Sequence, residues 1–557
     1  MCGAAFLASS APAQQYQWQL EGALPHYALP HEHLNYLARG GVPGAADAPT
    51  PAPIGPLRSV AEYEPTEGLQ FSYRGAAQWN AILVDMAVRV TTGEHGKIFM
   101  AYQANVSPLA TIQAALTSAG ANMSLIEFIP ATLDGIWCRD YGPRHAYQGG
   151  NVRVVLDHRY NRPRENDNLL PWVFATAKNR AIYEAQLNHG GGNYHLDALS
   201  RGFATRLVSQ ENIAPVTTVC SPFNAQPWVT WVYNDAQIRG VWQNYWNVGT
   251  TLFDRFPCAV DLTGHIDMWM QIVGDSRVLV SDWPNNPGSV QDVICDNAAV
   301  TMAGLGYTVY RVPAFSISGV HYTFTNLVMV NNLVMVPSYT QATVAPFNAS
   351  ALATIQTALD GSGKVAQSIP CQNIITAAGA VHCIVMHVPK FIGPPGGFGG
   401  LAPTAYLTSP QGGETLTPGG TVDITWVSDD DESVQNVDLR LSVDGGATFP
   451  YVIASQTPND RVQPWIVPNI GTTTARVRVV ARDAAGNTGA DDSDTNFTID
   501  GGCYADCNTS GTLTVGDFGC FQGKYVLGDA YADCNHDGSF TVADFGCFQN
   551  SYVTGCP

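Results

Sequence analysis

A cysteine that attacks an electrophile needs a neighbour to lower its pKa or to take its proton. The run VHCIVMHVP at 381–389 sets Cys383 directly behind a histidine on a β-rich stretch, which makes it a candidate nucleophile. Three upstream segments offer partners: WCRDYGP at 137–143, NHGGGNYHLDA at 188–198 and LTGHIDMW at 262–269. Each joins carboxylate or imidazole to glycine, a composition suited to charged groups held at loop ends. Asp140 and Asp267 are the carboxylates to place around a planar cation, since each can accept a fork from a guanidinium and fix its carbon before a sulfur. His265 projects to the same side as Asp267 if GHID is extended, where it can protonate leaving ammonia and then activate water. Such a site turns a guanidine into a ureido group. Blander readings stay open: Cys383 as a buried structural cysteine, Asp140 as an ion-pair partner of Arg139, or His265, Asp267, His189 and His195 as ligands of a metallohydrolase.

The elements around these residues read as mixed α/β. A clean helix is expected at 107–120, with Ser107 as N-cap and Gly120 just past its end, and a second capped helix at 350–361. AAQWNAILVDMAVRV carries apolar residues at both strand and helix spacing. Strands are expected at 125–129, 152–156, 277–282 and 307–312, and FTNLVMVNNLVMV reads as two strands joined by Asn331 and Asn332. No GxGxxG or P-loop interrupts them, so phosphate-cradling chemistry is not expected.

At 557 residues the chain is long enough for three to four domains, and a net charge of −19 argues against nucleic acid or an anionic membrane as partner. The first fifteen residues resemble the tail of a secretory signal, with an A-x-A pattern at Ala11–Ala13, so a secreted or cell-surface location is expected. No apolar run is long enough for a membrane span. Residues 43–57 read as an extended Pro/Ala arm, 60–392 as the large domain and GPPGGFGG within 393–402 as a flexible linker. From 403 to 500 short alternating strands predict an immunoglobulin- or fibronectin-type sandwich without an internal cysteine pair, with DDDE at 429–432 a solvated loop.

Residues 504–526 and 531–553 repeat without a gap. Each repeat sets oxygen ligands at EF-hand spacing: Asp506, Asn508, Ser510, the Thr512 carbonyl and Asp517 around Gly511, then Asp533, Asn535, Asp537, the Ser539 carbonyl and Asp544 around Gly538. Clustered oxygens of this kind suit Ca²⁺ in a structural role. The last 55 residues also hold six of the thirteen cysteines, which implies an oxidising compartment and a disulfide framework, with Cys503 and Cys556 bracketing the repeat. If Cys383 is a free thiol, five other cysteines remain in the large domain and at least one of them is unpaired.

The duplicated segment resembles cysteine-bearing dockerin modules, which implies anchoring to a cohesin-like or cell-surface partner. WCRDYGP, YNRPREND, HGGGNYHLDA, GHID, FTNLVMVNN and AVHC occur in the order seen in guanidine-modifying deiminases of the pentein superfold. The chain most resembles bacterial (porphyromonas-type) peptidylarginine deiminases, with agmatine deiminases as relatives, over about residues 60–392. The resemblance implies a five-bladed α/β-propeller of ββαβ units with the site on its axis and no catalytic cofactor. It makes Cys383 the nucleophile, Asp140 and Asp267 the guanidinium ligands, His265 the acid/base, Asn326 the residue that orients substrate and Trp137 the wall over the arginine side chain. The substrate would be peptide or protein arginine. Arg162 and Arg164, stiffened by Pro163, are placed to clamp a terminal carboxylate, as the same run does in the resembled family. Leu262 stands where that family has a tyrosine, and GGN at 191–193 reads as a structural turn. Agmatine turnover and a catalytically dead anchored scaffold are the alternatives.

Overall fold

The structure, a computed structural model, describes residues 16–38, 48–216, 220, 226–501, 504–508, 510, 512–535 and 537–555. The expected signal at 1–15 lies outside them, as do Gly511, Cys503 and Cys556.

One unit recurs through the large domain: an antiparallel strand pair, a helix, and a third strand parallel to the second. Val385–Pro389 pairs antiparallel with Thr66–Tyr73, helix Ala77–Thr92 follows, and Lys97–Tyr102 returns in parallel. The other four units pair Arg144–Gln148 with Val152–Tyr160 and Ile182–His189, His195–Leu196 with Arg201–Thr205 and Gly249–Phe253, Met270–Gly274 with Arg277–Asp282 and Thr308–Ile317, and Val328–Val330 with Leu333–Ser338 and Val365–Pro370. The last strand thus closes on the first. Central strands are covered on both faces, and every residue of Val152–Tyr160 is buried, its charged residues included. Helix Ala77–Thr92 buries Trp79, Leu83, Met86 and Val90 at helical spacing, which resolves the ambiguous run in favour of a helix.

The domain begins earlier than residue 60. Leu57–Ser59 pairs with Arg144–Gln148, and Trp18 and Ala23 lie in the main apolar core. The helix expected from Ser107 starts at Leu109, after a Pro108 cap position with no side-chain bond, whereas Gly120 ends it in the left-handed region at φ 89°. The second helix, Asn348–Leu359, likewise has no side-chain cap. Among the described residues no helix is long and apolar enough to cross a membrane.

Residues 404–499 form two sheets over one apolar core that includes Trp426, Leu439, Val477 and Phe497. Thr472–Arg482 alternates buried and half-exposed positions, as the sequence pattern demands. The stretch expected to be a flexible linker is clasped: the Asn487 side chain donates to the Gly399 carbonyl at 2.9 Å and accepts from the Phe398 amide at 2.8 Å. The first half of the acidic run is not solvated either, whereas Asp431 is half-buried and Glu432 exposed. Asp429 is buried, accepting from Arg153 Nε at 2.5 Å and Arg180 Nε at 3.3 Å, while Arg153 also reaches the Asp430 carbonyl at 2.9 Å and pairs with Glu67. Two arginines of the first domain thereby hold the second. Cys220–Cys258 is a disulfide, whereas Cys138, Cys295, Cys371 and Cys383 are free and buried. At the C-terminus, Cys507–Cys520 and Cys534–Cys547 each tie a loop to the following helix, Val515–Leu527 or Val542–Thr554, and Phe521 stacks on Phe548 between them.

Removing one member of a buried charge network leaves the others uncompensated, so Arg153→Met is expected to cost about 3–5 kcal/mol. A lowered denaturant midpoint of the first two domains checks this, and an unchanged midpoint contradicts it. The network also carries an acid dependence. Burial would raise the Glu67 carboxyl, but Arg153, Arg180 and Lys97 hold it at about 2 against an ordinary 4.5. A depressed folded-state value stabilises fully above about pH 4.5, and that stability is lost as the pH falls towards 2. Glu67→Gln should flatten the decline of Tm across that window.

Candidate active site

Each recurring unit is entered through a short turn, and these turns carry the site. Asp140 lies in Cys138–Tyr141 before one first strand, Gly191–Asn193 precede the next, and Asp267 lies in Ile266–Met268. Asn326 sits just before Val328–Val330, and Cys383 lies in His382–Ile384 before Val385–Pro389. The local hydrogen bonds favour turns here: the Gly142 amide returns to the Cys138 carbonyl at 2.7 Å, and the Asn193 carboxamide takes the Ile266 and Thr205 amides. GHID is therefore not an extended strand. It is a 3₁₀ turn with His265 at its N-cap, entered through Gly264 at φ 69°.

The turn still brings His265 and Asp267 together with Asp140. An ideal Cβ on Gly192 would lie 2.8 Å from His265 Nδ1, 2.9 Å from Asp267 Oδ2 and 3.0 Å from Asp140 Oδ1. Only glycine fits there, and its amide donates to Asp140 Oδ1 at 3.1 Å, so GGN is a turn that shapes the site. Asn326 Nδ2 donates to Cys383 Sγ at 3.1 Å, and the thiol lies 3.5 Å from Asp267 Oδ2. Asn326 Oδ1 accepts the His382 amide at 3.1 Å, so this carboxamide holds both the sulfur and its turn.

Two residues that the sequence reading left out complete the centre. His382 faces Asp267 Oδ2 at 2.8 Å through Nδ1 and Glu62 Oε2 at 2.7 Å through Nε2, and Glu62 pairs with Arg139 at 2.6 Å. Burial would raise Glu62, but Arg139 and His382 hold it well below the usual carboxylate range. Burial, with Arg139 nearby, pushes His382 well down, while burial and Asp140 push Asp267 well up. These directions agree on one proton arrangement: an ionised Glu62 accepts from a neutral His382, whose other nitrogen accepts from a protonated Asp267. Arg139 thus pairs with Glu62, and Asp140 is left for other cations. Burial, then Asp267 and Asp140, pushes the Cys383 thiol well up. Burial of Asp140 is outweighed by His26 and His265, so it stays ionised, and burial lowers His265 to about 4.

Trp137 is buried and lies flat against the His26 ring, with centroids 4.5 Å apart. His26 Nε2 is 2.5 Å from Asp140 Oδ2. Arg162 Nε donates to the His26 carbonyl at 3.3 Å, and Arg164 donates to Glu32 at 2.7 Å and to the Pro25 carbonyl at 2.7 Å. The two arginines therefore flank the site, engaged by the N-terminal segment. Leu262 is only half-buried. The four-residue metal set is not assembled: His195 groups with Glu62 and His382, while His189 packs against His158 and Trp242.

In the C-terminal loops the expected ligands share one pattern. Asp506 Oδ1 and Asn508 Oδ1 accept the Ser510 amide at 2.8 and 3.0 Å, and Asp533 Oδ1 and Asn535 Oδ1 accept the Asp537 amide at 3.2 and 3.1 Å. Ser510 Oγ donates to the Thr512 carbonyl at 2.9 Å, and the Ser539 amide donates to Asp537 Oδ1 at 2.8 Å. Asp517 and Asp544 are buried and also cap the following helices, and Gly538 takes φ 79°. The donor set is all oxygen, which fits a hard cation.

Residues 235–389 match the family model of Porphyromonas-type peptidyl-arginine deiminases. That match contains His265, Asp267, Asn326 and Cys383, and leaves Trp137, Asp140, Arg162 and Arg164 outside it. The agmatine deiminase of Enterococcus faecalis is a structural neighbour at 15% identity and TM-score 0.50, covering 60% of this chain and 96% of its own. An agmatine deiminase of C. jejuni aligns at 14% identity and TM-score 0.48, over 60% of this chain and 96% of its own. The first likeness shows the mixed α/β pentein fold. The family match lies over Cys383 and its neighbours, so this part of the five-unit domain resembles the Porphyromonas-type peptidyl-arginine deiminases, and the enzyme class it supports is a hydrolase acting on the C–N bonds of amidines.

Proposed function

We propose that the protein is a secreted peptidylarginine deiminase that converts the guanidinium of C-terminal arginine to citrulline and ammonia. The observation that carries this is the convergence of Cys383, Asp267, Asp140 and His265 in a buried pocket with the sulfur held by Asn326. A guanidinium entering between Asp140 and Asp267 supplies the positive charge that this pocket lacks. Its arrival favours ionisation of Asp267 and of the thiol, both of which burial holds protonated. His265, neutral in this setting, takes the thiol proton. The sulfur adds to the guanidinium carbon, and His265 returns that proton to the departing nitrogen, which leaves as ammonia. The resulting thiouronium is attacked by water, which gives its proton to His265. Collapse breaks the C–S bond, leaves the ureido group and restores the thiol. No step uses a metal.

The five recurring units correspond to the blades of a propeller whose entry turns meet on its axis. Residues 404–499 are then an immunoglobulin-like neighbour. The C-terminal repeat is a dockerin-like module in which ten oxygen ligands hold two Ca²⁺ ions and anchor the enzyme to a cohesin-like or cell-surface partner. Its helices leave Val515, Val526, Leu527, Val542 and Val553 exposed, apolar positions available to a partner.

Peptide arginine is favoured over agmatine by Arg162 and Arg164. Both are buried, and Arg164 already holds a carboxylate, that of Glu32. Agmatine brings no carboxylate to such a clamp.

Cys383→Ala should abolish ammonia release from arginine peptides, and retention of more than a trace would contradict the scheme. A peptide with free C-terminal arginine should exceed the same peptide amidated in kcat/KM, by the roughly 2–5 kcal/mol that a desolvated charge pair carries. Equal values would remove the clamp. Calcium at about 100-fold its Kd should stabilise the C-terminal module by about 2.7 kcal/mol for each ion bound, seen as a rise in its Tm, without changing turnover.

A further inference from the structure

Asp140, His265, Asp267 and Cys383 are each 0% exposed, so the thiol is closed to any arginine side chain in this arrangement. The cover is the chain's own segment Leu24–Glu32. We infer that this segment is an internal pseudosubstrate, with His26 in the place of the guanidinium and Glu32 in the place of a substrate carboxylate, and that it must withdraw before turnover. The inference rests on the deiminase reading for what the site binds, and on separate contacts for the closure.

His26 faces an acceptor from each ring nitrogen: Asp140 Oδ2 at 2.5 Å from Nε2 and the Ala378 carbonyl at 2.8 Å from Nδ1. The N–H groups of a guanidinium would meet the same pair of oxygens, so the ring stands where a flat cation's donors belong. It lies over Trp137 at 4.5 Å with an interplanar angle of 11°, as a bound guanidinium would. It is also edge-on to His265 at 5.2 Å, and an ideal Cβ on Gly379 would meet Trp137, His26 and the Cys383 Cβ together. The occupant is thus beside the nucleophile. It cannot react as substrate does, because its ring carbons bear no amine that can leave.

The backbone of the segment is held as a peptide ligand is. The His26 amide donates to the Ala377 carbonyl at 2.9 Å, and its carbonyl accepts from Arg162 Nε at 3.3 Å. Arg164 Nη2 takes the Pro25 and Tyr27 carbonyls at 2.7 and 3.2 Å. The Glu32 carboxylate lies across Arg164 Nε and Nη2 at 2.7 and 3.1 Å, a two-point pair of the kind a terminal carboxylate would make. Both arginines of the clamp, the aromatic wall and one of the two carboxylates are therefore engaged at once by nine consecutive residues.

The test compares the full chain with its His26→Ala, Glu32→Gln and double variants. The rate of Cys383 alkylation by iodoacetamide and the kcat/KM for a free C-terminal arginine peptide are read for each. Closure by the segment predicts at least a tenfold rise in both for the double variant. A synthetic peptide of residues 22–34, added to that variant, should inhibit it competitively against the arginine peptide, and the same peptide carrying Glu32→Gln should inhibit more weakly. Should a variant misfold, a protease site placed within 39–47 of the otherwise unchanged chain allows rates before and after cleavage to be compared in one preparation, with the same rise expected. Equal alkylation and equal ammonia release in all forms would overturn the closure and leave the deiminase reading standing. Faster alkylation with no ammonia from any arginine compound would uphold the closure and overturn the deiminase reading.

Discussion

Two carboxylates buried side by side are the constraint from which the rest of the structure follows. Asp140 and Asp267 are wholly excluded from water, yet both lie within 3.0 Å of one glycine-sized gap. Like charges in a low dielectric cannot both ionise without a cation between them. The protein meets this in two ways. Asp267 is left protonated against His382, while Asp140 is ionised against His26. Each is an arrangement that an incoming guanidinium can replace, which suits the pair to a planar cation.

Holding that pair in place takes the whole ring. The five entry turns come from parts of the chain as far apart as residues 138 and 384, and the closure of Val385–Pro389 on Thr66–Tyr73 sets the turn of Cys383 against the others. Glu62 illustrates the cost of building a centre this way. It must be drawn largely out of water to reach His382, and it is tolerated because Arg139, from the same turn as Asp140, neutralises it. The second domain is fastened by the same kind of device, with Arg153 and Arg180 meeting Asp429.

How much of this was legible in the sequence depended on whether a residue announced itself locally. Cys383, Asp140, His265 and Asp267 sit in glycine-flanked turns with other polar groups, and such clusters can be read without a structure. So could the alternation of Thr472–Arg482 and the duplicated acidic loops. Glu62, His26 and Glu32 stand alone in undistinguished stretches, and Glu62 meets His382 across 320 residues of chain, so no spacing could expose them. His382 was visible beside Cys383, but its role lies in its partners. Asp429 and Asp430 escape the solvated loop expected at 429–432 for a related reason: a charge run shows its own sign and not the arginines of another domain that will cover it. An extended GHID was one way to bring His265 and Asp267 to the same side, but spacing over four residues does not separate a strand from the tight turn that does so here.

The account stands on sulfur attacking the guanidinium carbon inside this pocket. The most direct measurement is a single-turnover reaction of the opened enzyme, in excess over an arginine peptide, quenched in acid and read by peptide mass spectrometry. The account predicts that the peptide containing Cys383 carries the amidino adduct of the substrate, which appears before citrulline and decays as citrulline forms. Citrulline that accumulates while every Cys383-containing peptide stays unmodified would contradict it.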